Sequence, residues 1–276
     1  MKAFLTTFLL FASSIVAKAQ DETEQTLLRS SELLLSLDRK VASGDRIGLW
    51  YRDSEGGMTR VWKGEPYDSL WLLDRTVLVV ERWSGRVVHL SDEFRELRVV
   101  DGFTTPVDVE LHPKGLWIIV EQRPGRVVAV DPETGSRVWE RSGFNGPFDA
   151  TYLRDGTLLV ADSGNDRLVA LDENGAIVRT WTGIDFPNTV DSTNDGGFLV
   201  TNWTGGQVRR FDKRGVLSWR RRVDGTLQSA EERPDGRITV SDGYRGRIFY
   251  LSRDGLVEKV ESFGNGCVDC ETILRP

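Results

Sequence analysis

A repeat of about 40 residues constrains the fold of this chain more than any other feature. Pro66, Pro106, Pro147 and Pro187 open successive copies at steps of 40, 41 and 40 residues, and a fifth copy has Leu227 in that position. Fifteen residues later, an apolar run in each copy ends at a polar residue: Glu81, Glu121, Asp162, Asn202 and Asp242. Each copy contains short runs typical of strands, separated by turns containing Gly and Asp. Several short strands per repeat indicate the blades of a β-propeller.

The polar residues that close the apolar runs have partners at a fixed distance. Five residues after each closing acid there is an arginine, which gives the pairs Glu81–Arg86, Glu121–Arg126, Asp162–Arg167 and Asp242–Arg247. In the remaining copy both charges are missing together, since Asn202 is followed by Gln207. Loss of one member alone would leave a partly buried charge without a partner, which is costly. The joint loss therefore predicts an ion pair at each blade corner rather than a catalytic acid.

The repeat predicts a propeller over residues 45–276. At about 40 residues per blade, this length gives nearly six blades. The first unit is short, and the segment containing Val268 and Asp269 matches a single inner strand. Pairing of that strand with the N-terminal strands would close the ring without exposed sheet edges. We therefore predict an all-β, six-bladed β-propeller of four-stranded antiparallel blades, whose ring is closed by N- and C-terminal strands. Five or seven blades are the alternatives, because the first unit is irregular.

The N-terminal region predicts two further segments. Residues 1–19 have the pattern of a secretory signal peptide, with Lys2, an apolar stretch and a small-residue cleavage site after Ala19. Residues 20–44 predict a short N-terminal helix, in which Leu27, Leu34 and Val41 belong to an imperfect apolar stripe. No other stretch is apolar enough to span a membrane. We therefore expect a secreted or periplasmic protein without membrane insertion.

The overall charge restricts the class of partner. The formal net charge is −6, and an acidic protein is a poor ligand for nucleic acid. We therefore expect a small-molecule ligand or a protein partner, and no nucleic acid.

The run from Asp155 to Arg167, together with Pro187-Asn188-Thr189, resembles NHL-repeat propellers and the broader senescence-marker-protein/gluconolactonase-like superfamily. The resemblance extends over residues 66–252. It implies a propeller that, in the enzymes of the superfamily, holds one divalent metal on the central axis through Glu, Asn and Asp at the starts of inner strands. Only Asn188 stands at a matching position, and a ring of aspartates stands one position later. The implied ligands for a Ca²⁺ ion are Asp68, Asp108, Asp149, Asn188 and Asp269. Alternatively, each carboxylate accepts backbone N–H bonds at its own blade entry.

A second set of side chains falls in loops on the face where the blades begin. Trp203 directly follows the closing residue Asn202, and Trp83 stands two residues after Glu81. The other predicted members of a ligand-binding rim are Tyr244, Arg82, Arg123, Arg245 and Gln228. Such side chains bind ligands by stacking and cation–π contacts. The alternative is that the tryptophans pack between adjacent blades.

These observations support two functions. The first is an exported binding module that presents an acidic channel mouth and a Trp/Arg rim to a small ligand or protein partner. The alternative is a metal-dependent hydrolase of the lactonase or esterase type, with Asp149 as the candidate catalytic residue. His89 and His112 are predicted away from the channel mouth, so a histidine-based hydrolase is not expected.

Overall fold

The computed structural model describes residues 33–37, 47–52, 58–203, 205–262 and 269–272. These residues form an all-β propeller with the following strands. β1 (Leu33–Leu37), β2 (Gly48–Arg52) and β3 (Met58–Trp62) come first. Blade 1 contains β4 (Asp68–Trp71), β5 (Val77–Glu81), β6 (Arg86–Leu90) and β7 (Glu96–Val100). Blade 2 contains β8 (Pro106–Leu111), β9 (Trp117–Glu121), β10 (Arg126–Val130) and β11 (Arg137–Ser142).

The remaining blades follow in chain order. Blade 3 contains β12 (Asp149–Tyr152), β13 (Leu158–Asp162), β14 (Arg167–Leu171) and β15 (Ile177–Thr182). Blade 4 contains β16 (Pro187–Ser192), β17 (Phe198–Asn202), β18 (Gln207–Phe211) and β19 (Leu217–Arg222). Blade 5 contains β20 (Leu227–Glu232), β21 (Ile238–Asp242), β22 (Arg247–Leu251) and β23 (Val257–Ser262). The last strand is β24 (Asp269–Thr272).

Consecutive strands of the chain form five blades rather than the six of the sequence prediction. A further four-stranded sheet is a composite with the order β24-β1-β2-β3, so it joins the two ends of the described chain. β24 pairs antiparallel with β1, and it lies against the inner strands β4 and β20 of blades 1 and 5. The composite sheet also shares a core with blade 1, in which Leu49 and Trp62 pack against Val77 and Val79. It therefore fills the space between the first and last continuous blades.

The helix predicted for residues 20–44 is wrong where the structure describes that segment. Leu33–Leu37 is β1, paired with β2 on one side and β24 on the other. Leucine is a good helix former, but intrinsic propensity is easily overridden by tertiary context, and here strand pairing on both sides overrides it. The rest of the segment and the predicted signal peptide lie outside the described residues. Within the described ranges there is no α-helix, only a 3₁₀ turn at Ser163–Asn165.

In the part of the chain that the structure describes, no helix is long and apolar enough to cross a bilayer.

The second strand of every blade is the most deeply buried. β5, β9, β13, β17 and β21 are buried along their whole length, whereas most residues of the outermost strands are exposed. The cores lie between neighbouring blades: Leu158 and Val160 of blade 3 pack with Ile118 and Val120 of blade 2. A strand with apolar neighbours on both faces needs a continuous apolar run, and the repeat supplies one in each copy.

Three tryptophans of the outermost strands pack on glycines of the next blade. A Cβ atom at Gly175, Gly215 or Gly255 would lie within about 3 Å of Trp139, Trp181 or Trp219, respectively. The Trp181 Nε1 atom donates a hydrogen bond to the Gly215 carbonyl oxygen at 3.0 Å. The absence of a side chain at these glycines therefore makes room for the indole rings that join successive blades.

Candidate functional site

The predicted corner ion pairs are confirmed in four blades. Arg167 Nε lies 2.6 Å from Asp162 Oδ2, and Arg247 Nη2 lies 2.6 Å from Asp242 Oδ2. The pairs Glu81–Arg86 and Glu121–Arg126 are also in direct contact. All four acids are buried. Their carboxylates also accept backbone N–H groups from the segment that leads into the same blade, as Asp162 Oδ1 does from Asn145 at 2.7 Å. The acids therefore have a structural role at the corners.

Blade 4 uses the opposite hydrogen-bond polarity at its corner. The Asn202 side-chain nitrogen donates to the Asp185 carbonyl oxygen, where the other blades have a carboxylate that accepts. Gln207 Oε1 accepts from the Arg209 guanidinium at 3.2 Å. Asn202 thus links the corner of blade 4 to the preceding loop without a charged side chain.

The inner strands surround a central cavity of about 170 Å³. Two layers of acidic side chains line it. Residues two apart on a strand face the same side, so one inner strand can contribute a side chain to each layer. The layer at the blade entries contains Asp68, Asp108 and Asp149. The deeper layer contains Glu110, Asp191 and Glu231, which the sequence analysis missed. Spacing could have identified one of them, since Glu110 stands two residues after Asp108 on β8.

The aspartates of the cavity form hydrogen bonds between blades. Asp108 Oδ2 accepts from the Ala150 backbone nitrogen at 2.9 Å, and Asp149 Oδ2 accepts from that of Val190 at 2.6 Å. Asp191 Oδ2 accepts from the Glu232 backbone nitrogen at 3.1 Å. Each of these partners belongs to the inner strand of the next blade. The prediction that the carboxylates of Asp108 and Asp149 accept backbone N–H bonds is therefore confirmed. The prediction that the N–H groups belong to the same blade is wrong for both residues.

Burial in this acidic cavity raises the pKa of several carboxyl groups. It raises the pKa of Glu110 to about 7 and that of Asp68 to about 6. The pKa values of Asp108 and Asp191 are raised well above the usual range, first by burial and then by neighbouring carboxylates. The cavity therefore carries fewer negative charges at neutral pH than its composition indicates.

The raised pKa of Glu110 predicts that stability falls with rising pH. Between about 4.5, its ordinary value, and about 7, the folded protein binds more protons than the unfolded chain. The free energy of unfolding therefore decreases as pH rises through this window. Urea unfolding at pH 5 and pH 8 measures this decrease. We expect the decrease to be smaller by about 1–3 kcal/mol in Glu110→Gln than in the unmodified protein. Asp155→Asn, a change on the opposite face, is the control. An unchanged pH dependence in Glu110→Gln would contradict the prediction.

The predicted metal ligands only partly come together. Asp68, Asp108, Asp149 and Asn188 all line the central cavity. Among the described residues, no three His, Cys, Asp or Glu side chains form a group that could hold a metal ion. The fifth residue, Asp269, begins β24, and its side chain lies outside the described part of the structure. A complete Ca²⁺ site therefore stays a prediction.

The predicted rim is divided into two clusters. The Trp203 ring lies 5.9 Å from Phe148 and 6.0 Å from Tyr244, and Phe148 lies 6.4 Å from Phe186. We call these four residues the aromatic rim. The second cluster lies in blade 1, where the Arg82 guanidinium stacks 4.7 Å from the Tyr67 ring and 5.3 Å from Trp83.

The sequence analysis missed Phe148, Phe186 and Tyr67. Tyr67 and Phe148 directly follow an opening proline, as Asn188 does. The position after an opening proline could have indicated that Tyr67, Phe148 and Asn188 lie at the channel mouth.

The other predicted ligand-binding residues have different surroundings. Gln228 lines the central cavity. Arg245 forms an ion pair with Asp224 at 3.3 Å on the surface. Arg123 lines a groove of about 410 Å³ that also contains Phe148 and Phe186. Arg123 therefore lies next to the aromatic rim, whereas Arg82 belongs to the blade 1 cluster.

The two histidines lie away from the described lining of the central cavity. The His89 Nε2 atom is 2.8 Å from the Thr76 hydroxyl. His112 is buried, and its ring packs edge-on against Tyr152. Both positions agree with the expectation that neither histidine reaches the channel mouth.

Comparison with known proteins relates the fold to two groups of propellers. The family model described as outer membrane protein assembly factor BamB matches residues 123–258, slightly less than half of the chain. No curated protein matches at a significant level. A streptogramin B lyase structure is similar with 11% identity and a TM-score of 0.65, over 87% of this chain and 84% of that one.

Two further solved structures have the same level of identity. A virginiamycin B lyase from Staphylococcus aureus is 11% identical, with a TM-score of 0.59 over 72% of this chain and 69% of that one. A Bacteroides caccae protein of unknown function is 11% identical, with a TM-score of 0.66 over 84% and 93%. Such low identities support the fold alone. The narrower NHL and gluconolactonase-like assignment stays a prediction. The chain is thus a β-propeller whose blades over residues 123–258 are similar to those of the BamB-type family.

Proposed function

We propose that the protein is an exported binding module, and that a protein partner docks on the aromatic rim of its blade-entry face. The observation that carries this proposal is the continuous contact of Phe148, Trp203 and Tyr244 at the mouth of the central cavity. Tyr244 is 48% exposed and Phe186 is 36% exposed. Partly exposed aromatic side chains next to a cavity are typical of the residues that dominate binding energy at interfaces.

The alternative role of packing between blades is filled by other tryptophans. Trp139, Trp181 and Trp219 lie in the outermost strands, where they contact glycines of the next blade. Trp203 also contacts rings of both neighbouring blades, Phe148 and Tyr244, but it does so at the channel mouth rather than in an outermost strand. Trp83 is 53% exposed. These positions support ligand contact in addition to blade packing.

The chemistry of the cavity also favours binding over hydrolysis. Asp149, the candidate base, already accepts a hydrogen bond from the Val190 backbone nitrogen. No histidine stands among the described residues that line the cavity. The BamB-type match carries the description of an assembly factor, which favours a protein partner over a substrate. The signal-peptide pattern favours a location outside the cytoplasm.

The proposal is tested by capture of a partner from an extract of the source cell envelope. Trp203→Ala is expected to reduce capture at least tenfold, since central aromatic residues of interfaces contribute about 2 kcal/mol or more. Leu73→Ser, a change of an exposed side chain on the opposite face, is the matched control and should leave capture unchanged. Equal capture by both variants and the unmodified protein would contradict the proposal, and so would hydrolysis of lactones or esters that Asp149→Ala abolishes.

A further inference from the structure

We propose that the central cavity binds an alkylammonium group of the ligand that docks on the aromatic rim, an inference that rests on the proposed function. The group would enter between the rim residues and place its nitrogen between the two acidic layers. Four features of the described residues support this assignment: the acidic lining, an unsatisfied acceptor, the hydrogen bonds that already engage two of the carboxylates, and the size and entrance of the cavity.

The lining of the cavity has one sign of charge. Its six carboxyl groups belong to Asp68, Asp108, Glu110, Asp149, Asp191 and Glu231. Within the described chain, no lysine, arginine or histidine is among the residues that line it. The nearby Arg82 guanidinium stacks on the outer aromatic ring of Tyr67. A cation from a ligand would therefore meet acidic neighbours without competition from a basic side chain of the lining.

Asn188 provides an acceptor that the described protein does not satisfy. Its side-chain nitrogen donates to the carbonyl oxygens of Leu227 at 3.1 Å and Gln228 at 3.4 Å, which fixes the orientation of the amide. Asn188 is only 2% exposed and lines the cavity, yet its Oδ1 atom has no hydrogen-bond partner among the described residues. A buried acceptor without a donor is unfavourable. An ammonium group has three donors and no acceptor, so it complements this oxygen.

The arrangement of the carboxylates suits an ammonium group better than a bare divalent ion. Calcium needs about six to eight oxygen ligands at about 2.3–2.6 Å. Asp108 Oδ2 and Asp149 Oδ2 accept hydrogen bonds from the backbone nitrogens of Ala150 and Val190, so one oxygen of each carboxylate is already engaged. An ammonium group needs only about three acceptors at about 2.7–2.9 Å. It therefore needs fewer free oxygens than calcium does.

The size of the cavity and its entrance restrict the ligand further. Pockets for drug-sized ligands measure about 300–1,000 Å³, whereas this cavity measures about 170 Å³. It therefore has room for the end of an alkyl chain rather than for a whole large ligand. Phe148 lines the cavity and also contacts Trp203 of the rim. An aromatic entrance favours a cation with an apolar stem.

Binding of n-butylammonium chloride to the mature full-length protein tests the inference, with n-butanol as the neutral analogue. We expect calorimetry to show binding of butylammonium and none of butanol at the same concentration. Glu110→Gln should weaken butylammonium binding at least tenfold, and Asp155→Asn on the opposite face should not change it. If Glu110→Gln lowers the melting temperature too far, Asp191→Asn in the same layer replaces it. Equal binding of butanol, or unchanged binding in the cavity variant, would overturn the proposal.

Two further arms separate the possible outcomes. Displacement of butylammonium by an equal concentration of calcium chloride would overturn the proposal in favour of a metal site. Nα-acetyl-lysine amide should bind as tightly as butylammonium if a lysine of a partner carries the group. Tighter binding of butylammonium would support a free amine in the same site. If no amine binds but Trp203→Ala still abolishes partner capture, this inference fails and the proposed function stands.

Discussion

Replacement of Arg167 by glutamine is expected to destabilise the protein by about 3–5 kcal/mol. The Asp162 carboxylate is fully buried, and Arg167 is the cation that pairs with it. Glutamine would leave this charge with hydrogen bonds but no counterion. Urea and thermal unfolding of the variant and the unmodified protein measure the effect.

The double variant Asp162→Asn/Arg167→Gln gives a sharper test, because it copies the neutral corner of blade 4. We expect it to recover more than half of the stability lost in Arg167→Gln, since no buried charge is left and Asn202 shows that an amide fits a blade corner. The single variant Asp162→Asn completes the double-mutant cycle. A double variant whose loss equals the sum of the two single losses would contradict the ion-pair interpretation.

Gly215→Ala is expected to lower the free energy of unfolding by about 2–4 kcal/mol. Gly215 has a φ of +72°, and a Cβ atom there would lie 2.5 Å from the Trp181 ring nitrogen. The left-handed backbone costs an alanine about 1–2 kcal/mol, and displacement of a packed ring costs about 1–3 kcal/mol more. The expected shift in melting temperature is about 5–15 °C. Trp fluorescence reports whether the ring moves.

Gly156→Ala is the matched control for this experiment. Gly156 has a similar φ of +86° in the equivalent kind of turn, but nothing lies within 4 Å of its Cβ position. Gly156→Ala should therefore lower the free energy of unfolding by the backbone contribution alone, about 1–2 kcal/mol. Equal losses in the two variants would mean that the contact between Trp181 and Gly215 does not stabilise the junction of the blades.

The sequence predicted features that repeat within one blade. The corner pairs could be predicted because Asn202 and Gln207 replace both charges together, so the chain contains its own comparison. The inter-blade hydrogen bonds could not, because Asp108 and Asp149 bind backbone N–H groups. Every residue except proline has a backbone N–H group, so no pattern of residue types marks Ala150 or Val190 as the partner.

Features that depend on the ring as a whole were also harder to predict. The segment containing Leu33–Leu37 has an apolar stripe compatible with a helix, and its pairing with β2 and β24 makes it a strand. Trp203 and Tyr244 lie in contact because their blades are adjacent. Trp83 follows the same kind of corner but belongs to blade 1, so it lies in the other cluster.

The composite sheet has a consequence for the order of assembly during synthesis. Each continuous blade can pair its own strands as soon as it leaves the ribosome, because its contacts are local. β1 can pair early with β2, but its other edge must wait for β24. The residues of β24, Asp269–Thr272, are translated more than two hundred residues later, and long loops close slowly. Until then the nascent protein has open sheet edges on both sides of the gap, and such edges promote aggregation. The synthesis of β24 therefore governs how long the new chain needs protection by chaperones.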